Sequence, residues 1–123
     1  MTREPETVPE GSSIGSALAR MRSAEVRHLL VMDGDRLSGI VSTRDLGRLA
    51  GDPSSLLATP VSRIMTEAPV TVAPETPVTA AARVLLEMRI GALPVRDGDD
   101  IVGIFTTADA LEALLATVDG PGA

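Results

Sequence analysis

The phrase "GIVSTRDL", Gly39 to Leu46, returns as "GIFTTADA", Gly103 to Ala110, at an offset of 64 positions. Held at that offset, Thr7-Val8 falls on Thr71-Val72, Ala17 on Ala81, Leu29 on Leu93 and Val31 on Val95. "DGD" at Asp33 to Asp35 falls on "DGD" at Asp97 to Asp99, with no gap. About a dozen identities in roughly forty pairs mark a duplication. The interval exceeds the ~20 to 50 residues of solenoid repeats and there are only two copies, so a pseudo-twofold pair is expected rather than an array. Within 123 residues each copy has only about 45, too few to bury a sufficient core alone, so the copies are expected to pack together as one α+β folding unit.

Each copy reads β-α-β-β-α. A short β-prone start ("ETV", "VTV") leads into a helix, Ile14 to Ala24 or Val78 to Met88, with apolar residues at helical spacing. Two β-prone runs follow, "HLLVM" and "LSGIV" or "ALPVR" and "IVGIF", and the Asp-Gly between them predicts a tight primed turn with both residues at positive φ. A second helix starts at Ser42 or Thr106, running to a C-cap at Gly51 or into "DGPGA". The expected layout is a first repeat over 1–50, a linker over 51–60, a second repeat over 61–117 and a disordered tail over 118–123. "VSRIMTEAP" before the second copy suits a helical turn, a lead-in with no counterpart in the first copy. Sheet against sheet with helices outside is the expected layering.

Composition removes several classes of function. The net charge is −6, so the attraction to phosphate backbones that supports DNA or RNA binding is missing globally, and anionic membranes are poor partners. Phe105 is the only aromatic residue, which rules out base stacking on aromatic platforms. The sequence has no bilayer-spanning apolar run, its opening "MTREPETVPEG" lacks the apolar centre of a signal peptide, and the absence of cysteine fits a reducing compartment, so a cytoplasmic location is expected. One histidine, no cysteine and no paired-carboxylate metal cluster leave few groups suited to acid-base work, so the chain is expected not to be an enzyme. Met65 and Met88 are expected to fill core gaps.

In the repeated phrase a strand runs into Ser42, with Asp45 three residues on; Thr106 and Asp109 repeat the spacing. Ser-x-x-Asp is a capping-box pattern, in which the hydroxyl accepts from a backbone N–H and the acid reaches back. The same carboxylate could accept hydrogen bonds from two vicinal sugar hydroxyls, as an acidic residue does in dinucleotide sites. Both readings stand together. A lone His28 in a β-prone run reads as a partly buried strand residue or a ligand, Arg27 as a strand-edge charge or a phosphate contact, and Arg44 as a member of a surface pair.

Val70 to Leu111 resembles a cystathionine-β-synthase (CBS) domain, and Thr7 to Leu46 resembles a second. The resemblance rests on the apolar-Pro-Val strand and turn at Leu93 to Asp97 and on the duplicated Gly-apolar-apolar-Ser/Thr-x-x-Asp phrase; it covers nearly the whole chain as a tandem pair, or Bateman module. It implies a regulatory module that senses an adenosine nucleotide, AMP, ADP, ATP or S-adenosylmethionine, in clefts between the repeats, with no other cofactor. Carried over residue by residue, one cleft uses Ser42 and Asp45 for the ribose side, Ile40 beneath the sugar, Arg27 and His28 for phosphates, and Val70, Ile90 and Gly91 around adenine. The mirror cleft uses Thr106, Asp109 and Ile104, with Val26 and Arg27 on the adenine side; its phosphate positions hold Gly91 and Ala92, so the Asp45 cleft is expected to be the stronger. Leu30 stands where the family's usual proline would match Pro94, which leaves the geometry of that strand edge open.

The resemblance also implies a disk-like homodimer and a regulated protein, expected in another chain. The alternative reading is a structural dimerisation module with no nucleotide bound.

Overall fold

The computed structural model describes residues 2–47, 57–67 and 70–118. The chain divides into two units, Pro5–Pro69 and Met1–Glu4 with Val70–Ala123. Both mix strands and helices, as an α+β chain requires.

In the Pro5–Pro69 unit the elements are β2 (Thr7–Pro9), α1 (Ile14–Ala24), β3 (His28–Asp33), β4 (Arg36–Ser42), α2 (Thr43–Gly47), a 3-10 turn (Val61–Arg63) and β5 (Thr66–Glu67). The sheet order is β2-β3-β4-β5, with β2 parallel to β3 and the other pairs antiparallel. Helix α1 starts where Ser13 accepts the Ser16 N–H at 3.1 Å and ends at Glu25, whose φ of 56° stops the helix. It buries Ile14, Ala17 and Met21; Ala17 and Met21 join Val8, Leu29, Val31, Val41 and Val61 in one apolar core.

The other unit contains β1 (Thr2–Arg3), α3 (Val78–Met88), β6 (Ala92–Asp97), β7 (Asp100–Thr106) and α4 (Thr107–Val118), with sheet order β1-β7-β6. Ala81, Leu85, Leu93, Val95 and Phe105 form its core. Arg89, at φ 56°, ends α3 as Glu25 ends α1.

Several sequence expectations change here. "VTV" does not make a strand; Val72 forms an isolated parallel bridge to Val95. In the first copy the Leu30 N–H donates to Glu6 O at 3.0 Å, extending β2 along β3. Pro94 occupies the matching place and has no N–H to give, so the second leading strand shortens. Leu30 and Pro94 otherwise hold the same register, opposite Ile40 and Ile104, so the leucine leaves the strand pairing intact. The tight turns are also displaced by one residue: Asp33 pairs with Arg36, so the central residues are Gly34 and Asp35, and of these only Gly34 has positive φ, at 60°. Gly98, at 62°, repeats this pattern, which is that of a turn with glycine first.

The lead-in segment supplies the expected helical turn, but also β5, which pairs with β4 through Gly39 with Glu67 and Ile40 with Thr66. The strand part of the segment does have a counterpart. Thr2 and Arg3, which correspond to Thr66 and Glu67 at the repeat offset, pair with Ile104 and Gly103 of β7 in the equivalent register. Gly39 is what lets β5 approach: a Cβ there would lie 2.5 Å from Thr66 O and 2.7 Å from Met65 Sδ. Met65 does pack on the core, whereas Met88 is 52% exposed at the end of α3 and fills no gap. The expected run of the second helix to Gly51 and most of the 51–60 linker lie outside the described residues, as does the tail beyond Val118, the residue that closes α4.

Candidate functional site

Strand β4 ends on Ser42 and α2 begins at Thr43, so the repeated phrase straddles a strand-to-helix corner. Asp45 Oδ2 accepts from the Ser42 N–H at 2.8 Å and from the Ser42 hydroxyl at 3.1 Å; the Asp45 N–H donates to Ser42 Oγ at 3.2 Å. That is the capping box read from the spacing. The second copy repeats it: the Thr106 N–H donates to Asp109 Oδ2 at 2.8 Å and the Asp109 N–H to Thr106 Oγ1 at 3.2 Å. Both acids are half-buried and their orientation is fixed by their own corner, so each carboxylate is presented rather than left to swing.

The start of β3 is tied to the same corner. The Thr43 N–H donates to Arg27 O at 3.0 Å, and His28 lies opposite Ser42 in the β3–β4 register. Arg27, His28, Ser42 and Asp45 are thus brought together within one unit. Burial pushes the His28 imidazole below its ordinary value, by penalising the cation; the Asp45 carboxylate opposes this, and the Arg27 and Arg44 guanidinium groups reinforce it. Arg44, which the sequence left as a surface charge, therefore belongs to the same cluster. Its position next to Asp45 in the repeated phrase was the available signal.

In the second copy the Thr107 N–H donates to Gly91 O at 3.0 Å, and Ala92 lies opposite Thr106. Gly91, Thr106 and Asp109 meet there as their counterparts do. Ile40 and Ile104 are buried, 6% and 7% exposed, under the two corners. Val26 and Ile90 pack their side chains on the cores of their own units, while Val70 is 40% exposed. Of the residues expected around one ligand, Ser42, Asp45, Ile40, Arg27 and His28 share one unit, and Val70, Ile90 and Gly91 belong to the other.

A shallow depression of about 320 Å³ lies at the hairpin end of the first sheet, lined by residues that include Glu10, Asp33, Arg36 and Glu67. It is at the opposite end of β3 and β4 from Ser42, so it is not the site under consideration. Among the described residues no cluster of three or more His, Cys, Asp or Glu side chains could hold a metal ion, and no helix is long and apolar enough to cross a membrane.

A family profile described as CBS domain matches residues 1–50 and 61–116. A CBS domain-containing protein of Dictyostelium discoideum is 30% identical over 132 residues, covering 97% of this chain and 90% of that protein. A CBS domain-containing protein of Arabidopsis thaliana is 29% identical over 115 residues, but there the chain spans 21% of the relative's length. Among solved structures, CBSX2, an Arabidopsis thaliana CBS-pair protein, in complex with AMP superposes with a TM-score of 0.79 at 32% identity, covering 96% of this chain and 94% of that one. A CBS-domain containing protein from Agrobacterium tumefaciens reaches 0.84 at 26% identity over 91% and 90%.

Proposed function

The chain belongs to the CBS domain family, and we propose that it is a regulatory module that binds an adenosine nucleotide and signals the occupancy to a partner protein. The observation that carries this reading is the paired corner, Ser42 with Asp45 and Thr106 with Asp109, in which a short-tethered carboxylate is held at 2.8 Å on a strand end. Such an acid is suited to accept from both hydroxyls of a ribose. The AMP complex of a relative 32% identical over nearly the whole chain supports the ligand class. Arg27 and His28 serve the phosphate, with the guanidinium as a bidentate donor. Ligand binding shifts the module only by its difference in affinity for two arrangements of the chain, which is the quantity a partner protein reads.

Thermal denaturation with AMP, ADP, ATP, S-adenosylmethionine and NADH tests the proposal. A true ligand adds about 2.7 kcal/mol at a hundredfold excess over its Kd, whereas flat curves for all five refute nucleotide sensing.

A second reading has its own support. Leu86 is 79% exposed on α3, and Leu111, Leu114 and Leu115 are 55 to 58% exposed on α4. An apolar helix surface of this kind suits a homodimer contact, so a dimerisation module whose sites stay empty is the alternative.

A further inference from the structure

The two corners share one backbone frame and differ in their polar side chains at three matched positions, two of them charged in the first copy. In each, the first residue of the helix donates to a carbonyl ahead of the strand at 3.0 Å, Arg27 O or Gly91 O, and the strand-end N–H donates to the acid at 2.8 Å. On that common frame Arg27, His28 and Arg44 of the first copy are replaced by Gly91, Ala92 and Ala108 of the second. Arg27 and Arg44 are exposed, and both lie near enough to His28 for their charges to act on it. A phosphate at the first corner meets two forked guanidinium donors, whose charges offset that of Asp45, and an imidazole that can add a hydrogen bond. At the second corner those positions offer no side-chain donor, and the anion is placed near the Asp109 carboxylate.

Resting on the nucleotide reading above, we propose that the two corners sort adenosine ligands by charge: the Ser42–Asp45 site takes a phosphate-bearing nucleotide, and the Thr106–Asp109 site takes an adenosine compound without phosphate, neutral or cationic. The chain then reports two ligand classes at once rather than one ligand twice. Salt separates them further, because screening weakens the phosphate contact and leaves a neutral nucleoside nearly untouched.

The test is titration calorimetry of the full chain with AMP, adenosine and S-adenosylmethionine. Asp45→Asn is expected to abolish AMP binding and spare adenosine, and Asp109→Asn to do the reverse. Because Asp45→Asn also disturbs a helix cap, the exposed pair Arg27→Gln with Arg44→Gln serves as the fold-neutral variant. It is expected to weaken AMP about ten- to hundredfold while adenosine changes less than about twofold. Equal weakening of AMP and adenosine by that double variant, or AMP binding that depends on Asp109 and not on Asp45, overturns the sorting while leaving nucleotide sensing intact. Failure of all three compounds to bind the unaltered chain overturns both.

Discussion

Replacing Gly39 by alanine tests how the repeated phrase is built. The new Cβ would lie 2.5 Å from Thr66 O, 2.7 Å from Met65 Sδ and 3.0 Å from Met65 Cγ. The methionine can swing aside at small cost, but the carbonyl belongs to β5, whose pairing with Gly39 and Ile40 holds it in place. Relief therefore means displacing β5 or bending β4. Overpacking of this kind costs about 1 to 3 kcal/mol. Loosening a backbone hydrogen bond of β5 adds about 1 kcal/mol. The reduced freedom of the unfolded chain returns about 0.4 to 1 kcal/mol. The net expectation is a loss of about 1 to 3.5 kcal/mol, centred near 2, or a fall in Tm on the order of 10 °C for a chain of this size. Urea titration followed by circular dichroism measures it, with Gly11→Ala as the control, since a Cβ at Gly11 meets nothing within 4 Å. Amide exchange at Thr66 and Glu67 should accelerate in the Gly39 variant. A Gly39→Ala protein as stable as its parent, or a Gly11→Ala protein equally damaged, would refute the close-approach argument.

Other expectations follow from the same geometry. Ser42→Ala removes the hydroxyl that accepts the Asp45 N–H, and should lower stability by about 1 kcal/mol in the same urea assay. His28 titrates below its ordinary value when folded, so the unfolded chain takes the proton first: stability is full above about pH 6.5 and declines as pH falls through the folded value. Urea midpoints compared at about pH 7.5 and pH 5.5 should show this slope, and His28→Gln should flatten it. If the dimerisation reading holds, the unaltered chain sediments as a dimer and Leu114→Asp, at a position 58% exposed, converts it to a monomer with a melting temperature lowered by the lost association; an unaltered dimer would place the contact elsewhere.

Much of the architecture was legible because the duplication tied each element to a second witness. Helices over Ile14–Ala24 and Val78–Met88 match their apolar spacing, and the acid three residues after Ser42 or Thr106 caps as its type and distance require. What stayed hidden was held in pairing rather than pattern. Thr2–Arg3 and Thr66–Glu67 are two-residue strands, too short to show alternation, and they exist through the strands they join. The loss of the Val70–Val72 strand came from a missing donor on Pro94, a residue in a different strand. Met88 carries the right composition for a core but sits on the last turn of α3, where it is 52% exposed. At the site, the types and spacing of Ser42 and Asp45 were enough, whereas the place of Arg44 depends on which strand start packs beside its helix.

The most direct test of nucleotide recognition is residue-resolved NMR of the full chain titrated with AMP. The account predicts that the backbone amides of Ser42, Thr43 and Asp45 shift in a saturable way and that Asp45→Asn abolishes the response. Saturable shifts confined to the hairpin end around Asp33 and Arg36, or no shifts at millimolar AMP, would contradict it.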